Sequence, residues 1–271
     1  MSLSRVDWPR RMLKKTVTFE VLESTRADVF ADFYGVYKEC FPLEDEREPP
    51  EAFGALFALN SNLDVQQKYG PYREVVLMIR AWPGGPVIGG HIFGITTSES
   101  HHRAGYSSSV QGIYTFLRQA FRGLVPMSAF FAQMREWAGR IFPPLESTAH
   151  PPPIFFEVNN PSRMTAEQIA LDTESSGVSP QRRYQLWRRT GGFALDFPYV
   201  QPRLNAGAAP VRYLDLFCYA GTHAVPSALL RAHLRAFFLV SVLKGDETQD
   251  EDVIADLEQY CESRKEIGQR L

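Results

Sequence analysis

The sequence predicts an α/β protein built on one mixed β-sheet with helices on its faces. Two observations carry this prediction. Segments with strand-like and helix-like patterns alternate along the chain, and 44% of the 271 residues are hydrophobic, which is enough for one sizeable core. The predicted order is a strand, two helices, three strands, a helix, a strand, further helices, two strands and closing helices. This order is typical of a mixed sheet.

The strands are predicted from apolar alternation and from short apolar runs bounded by turn residues. They are residues 17–22, 74–80, 86–96, 107–117, 154–158, 193–199 and 213–219. The Trp-Pro-Gly-Gly linker at 82–85 predicts a hairpin between the second and third strands.

The helices are predicted from capping residues and first-turn prolines that precede an apolar face. Their predicted starts are Ser24 or Thr25, Pro49, Pro126, Ser162, Ser179, Pro226 and Glu251. The helix after Pro126 places Phe130, Met134, Trp137 and Ile141 on one side, which predicts the face that packs on the sheet.

Charge and cysteine usage argue against several classes of protein. The formal net charge is −2 and the pI is about 6.3, so bulk electrostatics favour neither a nucleic acid nor an anionic membrane as a partner. The apolar stretch 236–243 is far shorter than a membrane span. Cys40, Cys218 and Cys261 support neither a disulfide framework nor a metal site, and the histidines at 101–102 are predicted in a surface loop. We expect a cytoplasmic protein without a metal.

Three stretches of sequence resemble motifs of a known superfamily. Residues 117–127 read LRQAFRGLVPM at the end of a predicted strand, and residues 155–161 read FFEVNNP, a strand followed by a polar turn. Residues 184–191 read YQLWRRTG, a helix that precedes the last predicted strands. Together with the order of elements, they resemble the GNAT superfamily of CoA-dependent N-acetyltransferases.

The resemblance covers roughly residues 17–219. It implies a mixed, mostly antiparallel central sheet flanked by helices. We divide the chain accordingly into a tag and N-terminal arm (1–15), a GNAT-like acyltransferase domain (16–220) and a C-terminal helical extension packed on the same domain (221–271). The apolar residues of the extension fit either packing on the sheet or a homodimer, and the sequence leaves both open.

By this resemblance, the loop at 118–127 holds the pyrophosphate of acetyl-CoA or another acyl-CoA. The family pattern is Arg/Gln-x-x-Gly-x-Gly/Ala, and Arg122 stands at its first position, while Val125 and Met127 replace the two small residues. Glycines there let the backbone approach the phosphates, whereas larger side chains crowd them and Pro126 lacks an N–H donor. The donor-binding residues that the resemblance implies are Phe116, Leu117, Arg118, Arg122, Gly123, Leu124, Val125, Met127, Ser128 and Asn159. Backbone N–H groups at 116–118 would bind the acyl carbonyl.

The resemblance also implies catalytic residues. Glu157 is a candidate general base, with the alternative that it points outward from a strand edge. Tyr184 is a candidate acid for the departing thiolate, with the alternative that it is a core or surface residue, because Trp187 stands where the family tyrosine is expected. Glu44, Glu46 and His91 are candidate substrate-binding residues. An acidic loop suits a cationic amine, with the alternative that the loop is only solvated. The alternative for His91 is a hydrogen-bonded histidine within its strand.

Three functions fit this sequence. The first is an N-acyltransferase that moves an acetyl or longer acyl group from acyl-CoA to an amine of a small molecule or peptide by direct attack in a ternary complex. The second is an acyl-carrier-protein-dependent acyltransferase of the same fold, for which a grip on the pyrophosphate matters less. The third is a catalytically silent relative that senses a ligand or binds a partner, which the replacements at Val125, Met127 and Trp187 would allow.

Overall fold

A seven-stranded sheet forms the centre of the described part of the chain, which in this computed structural model comprises residues 17–26, 28–42, 47–146, 148–203, 209–245 and 250–270. Its strands are β1 Thr18–Val21, β2 Tyr72–Arg80, β3 Val87–Thr96, β4 Ser109–Leu117, β5 Ile154–Asn159, β6 Phe193–Ala194 and β7 Leu214–Tyr219. They lie in the order β1-β2-β3-β4-β5-β7-β6. Neighbours are antiparallel except β4 and β5, which are parallel. The predicted mixed, mostly antiparallel sheet is confirmed.

Helices cover both faces of this sheet. They are α1 Asp28–Cys40, α2 Pro50–Leu59, α3 Leu63–Tyr69, α4 Glu99–Arg103, α5 Met127–Ile141, α6 Ala166–Ser176, α7 Pro180–Arg189, α8 Ser227–Ala236 and α9 Glu251–Glu262. Because successive side chains of a strand point to opposite faces, each strand contributes to two cores. Val76 and Met78 of β2 pack with α1 and α2, while Val75 and Leu77 pack with α5.

The middle of the sheet is tightly packed around β3. All ten of its residues are buried. A Cβ atom at Gly94 would lie 2.0 Å from Tyr72 Oη, and one at Gly89 would lie 2.2 Å from the Phe116 carbonyl oxygen. Glycine is therefore required at position 89 for β4 to approach β3 this closely, and at position 94 it makes room for the Tyr72 ring.

The C-terminal part of the chain packs on the sheet. Leu229, Leu234 and Phe238 are buried in one core with Phe155 of β5 and Leu216 of β7. A two-stranded sheet of β8 Ala224–Pro226 and β9 Glu266–Gly268 joins the two ends of this segment. These apolar side chains are thus covered by the chain itself. Within the described residues, no helix combines the length and apolarity that crossing a membrane requires.

The helix α8 continues as a π-helix over Phe237–Val242, where the sequence predicts an ordinary buried helix. All six residues are buried, as expected, but the wider turns carry backbone hydrogen bonds from the Leu243 N–H to the Phe238 carbonyl (2.8 Å) and from the Gly245 N–H to the Leu239 carbonyl (2.7 Å). Such segments often mark functional sites, since they displace side chains from α-helical positions. Here Ser241 Oγ donates to Glu74 Oε1 at 2.8 Å.

Two local predictions are wrong. In the strand predicted at 193–199, Phe193 and Ala194 pair with β7, and the Leu195 N–H adds a backbone hydrogen bond to the Leu216 carbonyl at 2.9 Å. Pro198 cannot donate to a ladder beyond them. The helix predicted from Ser162 begins at Ala166, because Thr165 and Gln168 form a reciprocal capping box. The helices α3 and α4 and the small sheet are not predicted.

A buried polar chain links α4, β4 and α8. His101 Nδ1 lies 2.7 Å from Ser98 Oγ, and its Nε2 lies 2.7 Å from Ser109 Oγ. The same Ser109 hydroxyl lies 2.8 Å from His233 Nδ1, and His233 Nε2 lies 3.1 Å from Gln111 Oε1. The prediction of a surface loop at His101 is wrong, since its side chain is fully buried. Burial lowers the pKa of His101 to about 3 and lowers that of His233 as well, so both rings are neutral when folded.

We expect the free energy of unfolding to fall as the pH drops below 6.5. Both histidines have folded pKa values below the ordinary 6.5, so the unfolded chain binds protons first. Their contribution is therefore complete above pH 6.5 and is lost as the pH falls from 6.5 towards 3. Urea titrations on both sides of pH 6.5 measure this loss.

The variant that tests the polar chain is Ser109→Ala, which removes the hydroxyl between the two histidines. Its control is Ser263→Ala, which removes an exposed hydroxyl. Ser109→Ala should lower the free energy of unfolding by about 1–3 kcal/mol even above pH 6.5, because two buried ring nitrogens lose a partner. Equal stabilities of the two variants would contradict this account of the network.

Candidate functional site

The site begins where β4 and β5 part. These parallel strands pair only at Val110 with Ile154, Gln111 with Phe155 and Gly112 with Phe156. Beyond that point β4 continues to Leu117 and β5 to Asn159 without further pairing in the described sheet.

A β-bulge lies at this parting. In the β3–β4 ladder, Phe93 faces Gly112 and Ile92 faces Tyr114, which leaves Ile113 as an extra residue in β4. A bulge bends its strand and increases the local twist. It therefore accounts for the direction in which β4 leaves β5.

Two cavities meet at the gap between the strands. Cavity A has a volume of about 630 Å³ and lies beside α5 and α7, with Phe131, Met134 and Trp187 in its wall. Cavity B has a volume of about 400 Å³ and lies beside α2 and the π-helix, with Phe53 and Phe237 in its wall. The residues that line both are Ile113, Tyr114, Glu157 and Asp172.

Glu157 is an ionisable side chain at this junction, immediately after the last residue of β5 that pairs with β4. Its Oε1 accepts a short hydrogen bond from the Tyr199 hydroxyl, and its Oε2 accepts one from Gln201 Nε2 at 3.4 Å. Burial raises the pKa of Glu157 to about 7, and the Tyr199 hydrogen bond opposes this rise. A carboxyl group with this pKa can take up and release a proton near neutral pH.

Six of the predicted donor-binding residues line cavity A. They are Phe116, Leu117, Arg122, Gly123, Val125 and Met127. The backbone N–H of Arg118 donates to the Ile88 carbonyl at 2.8 Å, inside the sheet. Because N–H groups alternate between the two edges of a strand, the N–H of Leu117 faces the gap that β5 vacates.

The other four predicted donor-binding residues lie elsewhere. Arg118 forms an ion pair with Glu39 at 2.9 Å, Leu124 is buried in the core, and Ser128 is exposed on the first turn of α5. Asn159 lines cavity B and donates to Asp172 Oδ1 at 3.2 Å. None of the four is among the described residues that line cavity A.

The loop between β4 and α5 has an open surface at Gly123. This residue has a φ of +79°, and a Cβ atom placed on it would meet no atom within 4 Å. Val125 is only 8% exposed, and it packs in the core with Ile79 and Phe130 while it also borders cavity A. Val125 stands where the family pattern has a small residue, and its larger side chain is mostly packed in the core.

Two arginines border cavity A. Arg122 Nη1 donates to the Ser176 carbonyl at 2.7 Å, which ties the loop to the end of α6. Arg183 of α7 forms an ion pair with Asp172 and donates to Ser176 Oγ at 2.5 Å. Their positive charges lie at one side of an otherwise mainly apolar cavity, where an anionic group of a ligand would be stabilised.

Tyr184 is not among the described residues that line either cavity. Its hydroxyl donates to Asp215 Oδ2 at 2.7 Å, and its ring lies edge-on to Phe217 with centroids 4.9 Å apart. Burial and the Asp215 carboxylate raise the pKa of Tyr184 to about 12. Trp187 instead borders cavity A, with its ring centroid 4.2 Å from that of Phe156. This placement gives Tyr184 a packing role and sets it apart from the described lining of both cavities.

His91 is also absent from the described lining of both cavities. It is buried on β3, its Nδ1 lies 2.8 Å from Thr115 Oγ1, and its ring centroid lies 5.1 Å from that of Phe130. Burial lowers the pKa of His91 to about 3, so the ring is neutral. Glu44 and Glu46 lie outside the described residues.

Cavity B carries further acidic groups. Glu48 and Glu74 line it together with Glu157 and Lys244. Lys244 Nζ lies 4.0 Å from Glu48 Oε1 and donates to the Ser241 carbonyl at 2.5 Å. Burial raises the pKa of Glu74. Among the described residues of this wall, carboxyl groups outnumber cationic groups, and the carboxyl groups that ionise favour a cationic ligand.

The residues of the site that reasoning from the sequence misses include Glu74, Tyr114, Asp172, Tyr199 and Gln201. Tyr199 ends a predicted strand of ordinary composition and Gln201 follows that strand, and the two lie 42 and 44 positions after the carboxylate that they contact. A local pattern gives no signal for a pairing at that separation. Among the described residues, no group of three or more His, Cys, Asp or Glu side chains is placed to hold a metal ion.

Comparison with solved structures identifies the fold. The chain is similar to a protein from Bacteroides thetaiotaomicron described as a candidate acetyltransferase of the GNAT family, with 13% identity over 84% of this chain and 98% of that chain and a TM-score of 0.50. It is also similar to Arabidopsis thaliana Naa50 in complex with a bisubstrate analogue (9% identity, 75% and 98% covered, TM-score 0.42). The same holds for Arabidopsis thaliana NAA60 in complex with acetyl-CoA (14% identity, 76% and 98% covered, TM-score 0.42).

No protein-family profile matches the chain, and no curated protein matches its sequence. The structural likeness therefore rests on the arrangement of the elements, at identities too low to carry a function. The chain has the GNAT fold, which confirms the fold that the sequence motifs imply.

We expect Tyr184→Phe to lower the free energy of unfolding by about 1–3 kcal/mol, because the buried Asp215 carboxylate loses a hydrogen-bond donor. Chemical denaturation measures the change. Tyr260→Phe is the matched control, since its hydroxyl donates to the Asp196 carbonyl at the surface. A Tyr184→Phe protein as stable as the control would contradict the packing role.

Proposed function

We propose that this chain is an N-acyltransferase that moves an acetyl or longer acyl group from acyl-CoA to a cationic amine. One observation carries the proposal: the gap between β4 and β5 joins two cavities, and the Glu157 carboxyl borders both of them. Acyl transfer in a ternary complex needs two ligands to meet end to end beside a group that accepts a proton.

Cavity A fits the donor. Its apolar wall suits the pantetheine arm, and the N–H of Leu117 faces the parting of the strands, where an acyl thioester carbonyl would be held. Arg122 and the open backbone at Gly123 would hold the pyrophosphate beside the first turn of α5. These residues fit acyl-CoA, which supplies the activated acyl group when it is bound.

Cavity B fits the acceptor. Glu48, Glu74 and Glu157 all line this cavity, and Glu157 lies at the gap. A ligand that carries a positive charge would be attracted into this cavity, and its reactive amine would be brought next to Glu157. We therefore expect a small molecule or peptide end with an amine and a second cationic group.

The chemistry follows from Glu157 as general base. The amine enters cavity B in its neutral form, after releasing one proton to water. As its nitrogen bonds to the acyl carbon, it gives a second proton to the Glu157 carboxylate. The carbon–sulfur bond then breaks with its electron pair on sulfur, and the Glu157 carboxyl, which also borders cavity A, returns the proton to the thiolate. The products are an amide and free CoA thiol, and Glu157 is again a carboxylate.

A carrier-protein-dependent acyltransferase of the same fold is the second candidate. The observation that favours it is the hydrogen bond from the Arg122 guanidinium to the Ser176 carbonyl. This bond uses a donor that would otherwise be available to a phosphate group. A phosphopantetheine arm on a carrier protein would use the apolar part of cavity A and need little from Arg122. Binding measurements separate the two candidates.

We expect acetyl-CoA, CoA and a medium-chain acyl-CoA to bind with micromolar affinity in calorimetric titrations. Arg122→Ala should weaken binding at least about tenfold, since a hydrogen bond to a charged group contributes about 1.5–3 kcal/mol. Arg140→Ala, which removes an exposed arginine at the far end of α5, should leave the affinity unchanged. Failure of all three compounds to bind would exclude a CoA-dependent enzyme and leave the carrier-protein candidate or a silent module.

We expect kcat/KM of the wild-type protein to fall as the pH drops below about 7, because the base must be a carboxylate and its pKa is about 7. Glu157→Gln should lower kcat about 100-fold or more and abolish this pH dependence, while calorimetry shows unchanged CoA affinity. Glu136→Gln, an exposed carboxylate on α5, is the control. A Glu157→Gln enzyme with wild-type kcat would exclude Glu157 as the base.

A further inference from the structure

One segment of the chain donates hydrogen bonds to both oxygens of the Glu157 carboxyl group. Tyr199 donates to Oε1 and Gln201 donates to Oε2, and the two donors stand two positions apart. Both are neutral, so neither forms an ion pair that would fix Glu157 in the charged form. This arrangement differs from that of Asp215, one strand away, which Arg270 and Arg163 hold by ion pairs.

The donor segment is itself firmly placed. Tyr199 is 1% exposed and packs against Phe238 of the π-helix, with ring centroids 6.0 Å apart. Gln201 forms two backbone hydrogen bonds with Val211, at 3.0 and 2.9 Å. A buried ring and a pair of backbone bonds leave the two side-chain donors little freedom to follow Glu157 if it rotates. The carboxyl is therefore confined to the parting of β4 and β5.

We propose that Tyr199, assisted by Gln201, is a positioning residue that holds Glu157 between the two cavities and keeps it available as a carboxylate. The inference rests on the proposed function. Neither residue lies where it would touch the acyl group, because Tyr199 is not among the described residues lining a cavity and Gln201 borders only cavity B. Their effect passes through Glu157.

The Tyr199 hydroxyl stabilises the charged form of a carboxyl that burial would otherwise keep neutral. Its removal should therefore raise the pKa of Glu157. A hydrogen bond to a charged group corresponds to about one to two pKa units. If Tyr199 only filled space, its replacement would change the free energy of unfolding and leave the pKa of Glu157 unchanged.

The test is Tyr199→Phe, with the titration of Glu157 followed without turnover by pH-dependent infrared difference spectra from which the Glu157→Gln spectrum is subtracted. We expect the pKa of Glu157 to rise by about one to two units, and the acid limb of kcat/KM to move to higher pH by the same amount. Tyr106→Phe, which removes a hydroxyl from the same core away from Glu157, should move neither. Gln201→Ala, which removes the longer hydrogen bond, should shift the pKa of Glu157 in the same direction by a smaller amount. This variant tests the inference if Tyr199→Phe does not fold.

An unchanged Glu157 titration in both Tyr199→Phe and Gln201→Ala would overturn the inference, whether or not the protein has acyltransferase activity. A shifted titration with an unshifted kcat/KM profile would overturn the link between this pair and the reaction. If the wild-type protein transfers no acyl group, the proposed function fails, and the infrared titration still decides whether the two donors hold Glu157.

Discussion

The two cavities and the candidate site depend on the separation of two parallel strands. β4 and β5 begin as hydrogen-bonded neighbours and separate after Gly112 and Phe156, where the extra residue Ile113 bends β4 away. Separation leaves backbone N–H and carbonyl groups on the facing edges without a ladder, and such groups require partners. A ligand with an amide-containing arm can supply them. The feature that opens the cavities thus also provides the groups that would bind what fills them.

Two carboxylates on adjacent strands show how environment assigns different roles. Asp215 of β7 is fully buried beside Arg270 and Arg163, so its charge is matched and it fastens α7 and the C-terminal segment to the sheet. Glu157 of β5 has two neutral donors and borders two cavities. Burial without a cation brings the pKa of Glu157 to about 7, close to what a general base at neutral pH requires.

The sequence predicts the strand that carries Glu157 and the strand-loop-helix around Arg122, because both depend on local patterns of apolar, glycine and proline residues. It does not predict Tyr199, which meets Glu157 only through the sheet order, nor the bulge at Ile113, which exists only in the pairing of β4 with β3. Tyr184 illustrates the same limit. Its spacing from Gly191 places it near a motif position, but the rotation of α7 against the sheet turns its hydroxyl to Asp215.

The sequence by itself determined the order of the main strands and helices, the mixed sheet, and the positions along the chain of the loop at 118–127 and of Glu157. Periodicity, caps and turn residues act within a few positions of the chain, so they can be recognised from the sequence alone. The tertiary structure decided which strands part, which cavities meet and what pKa the Glu157 carboxyl takes. These properties arise from contacts between residues far apart in the chain, and burial and hydrogen bonding at such contacts set the energy of a charge.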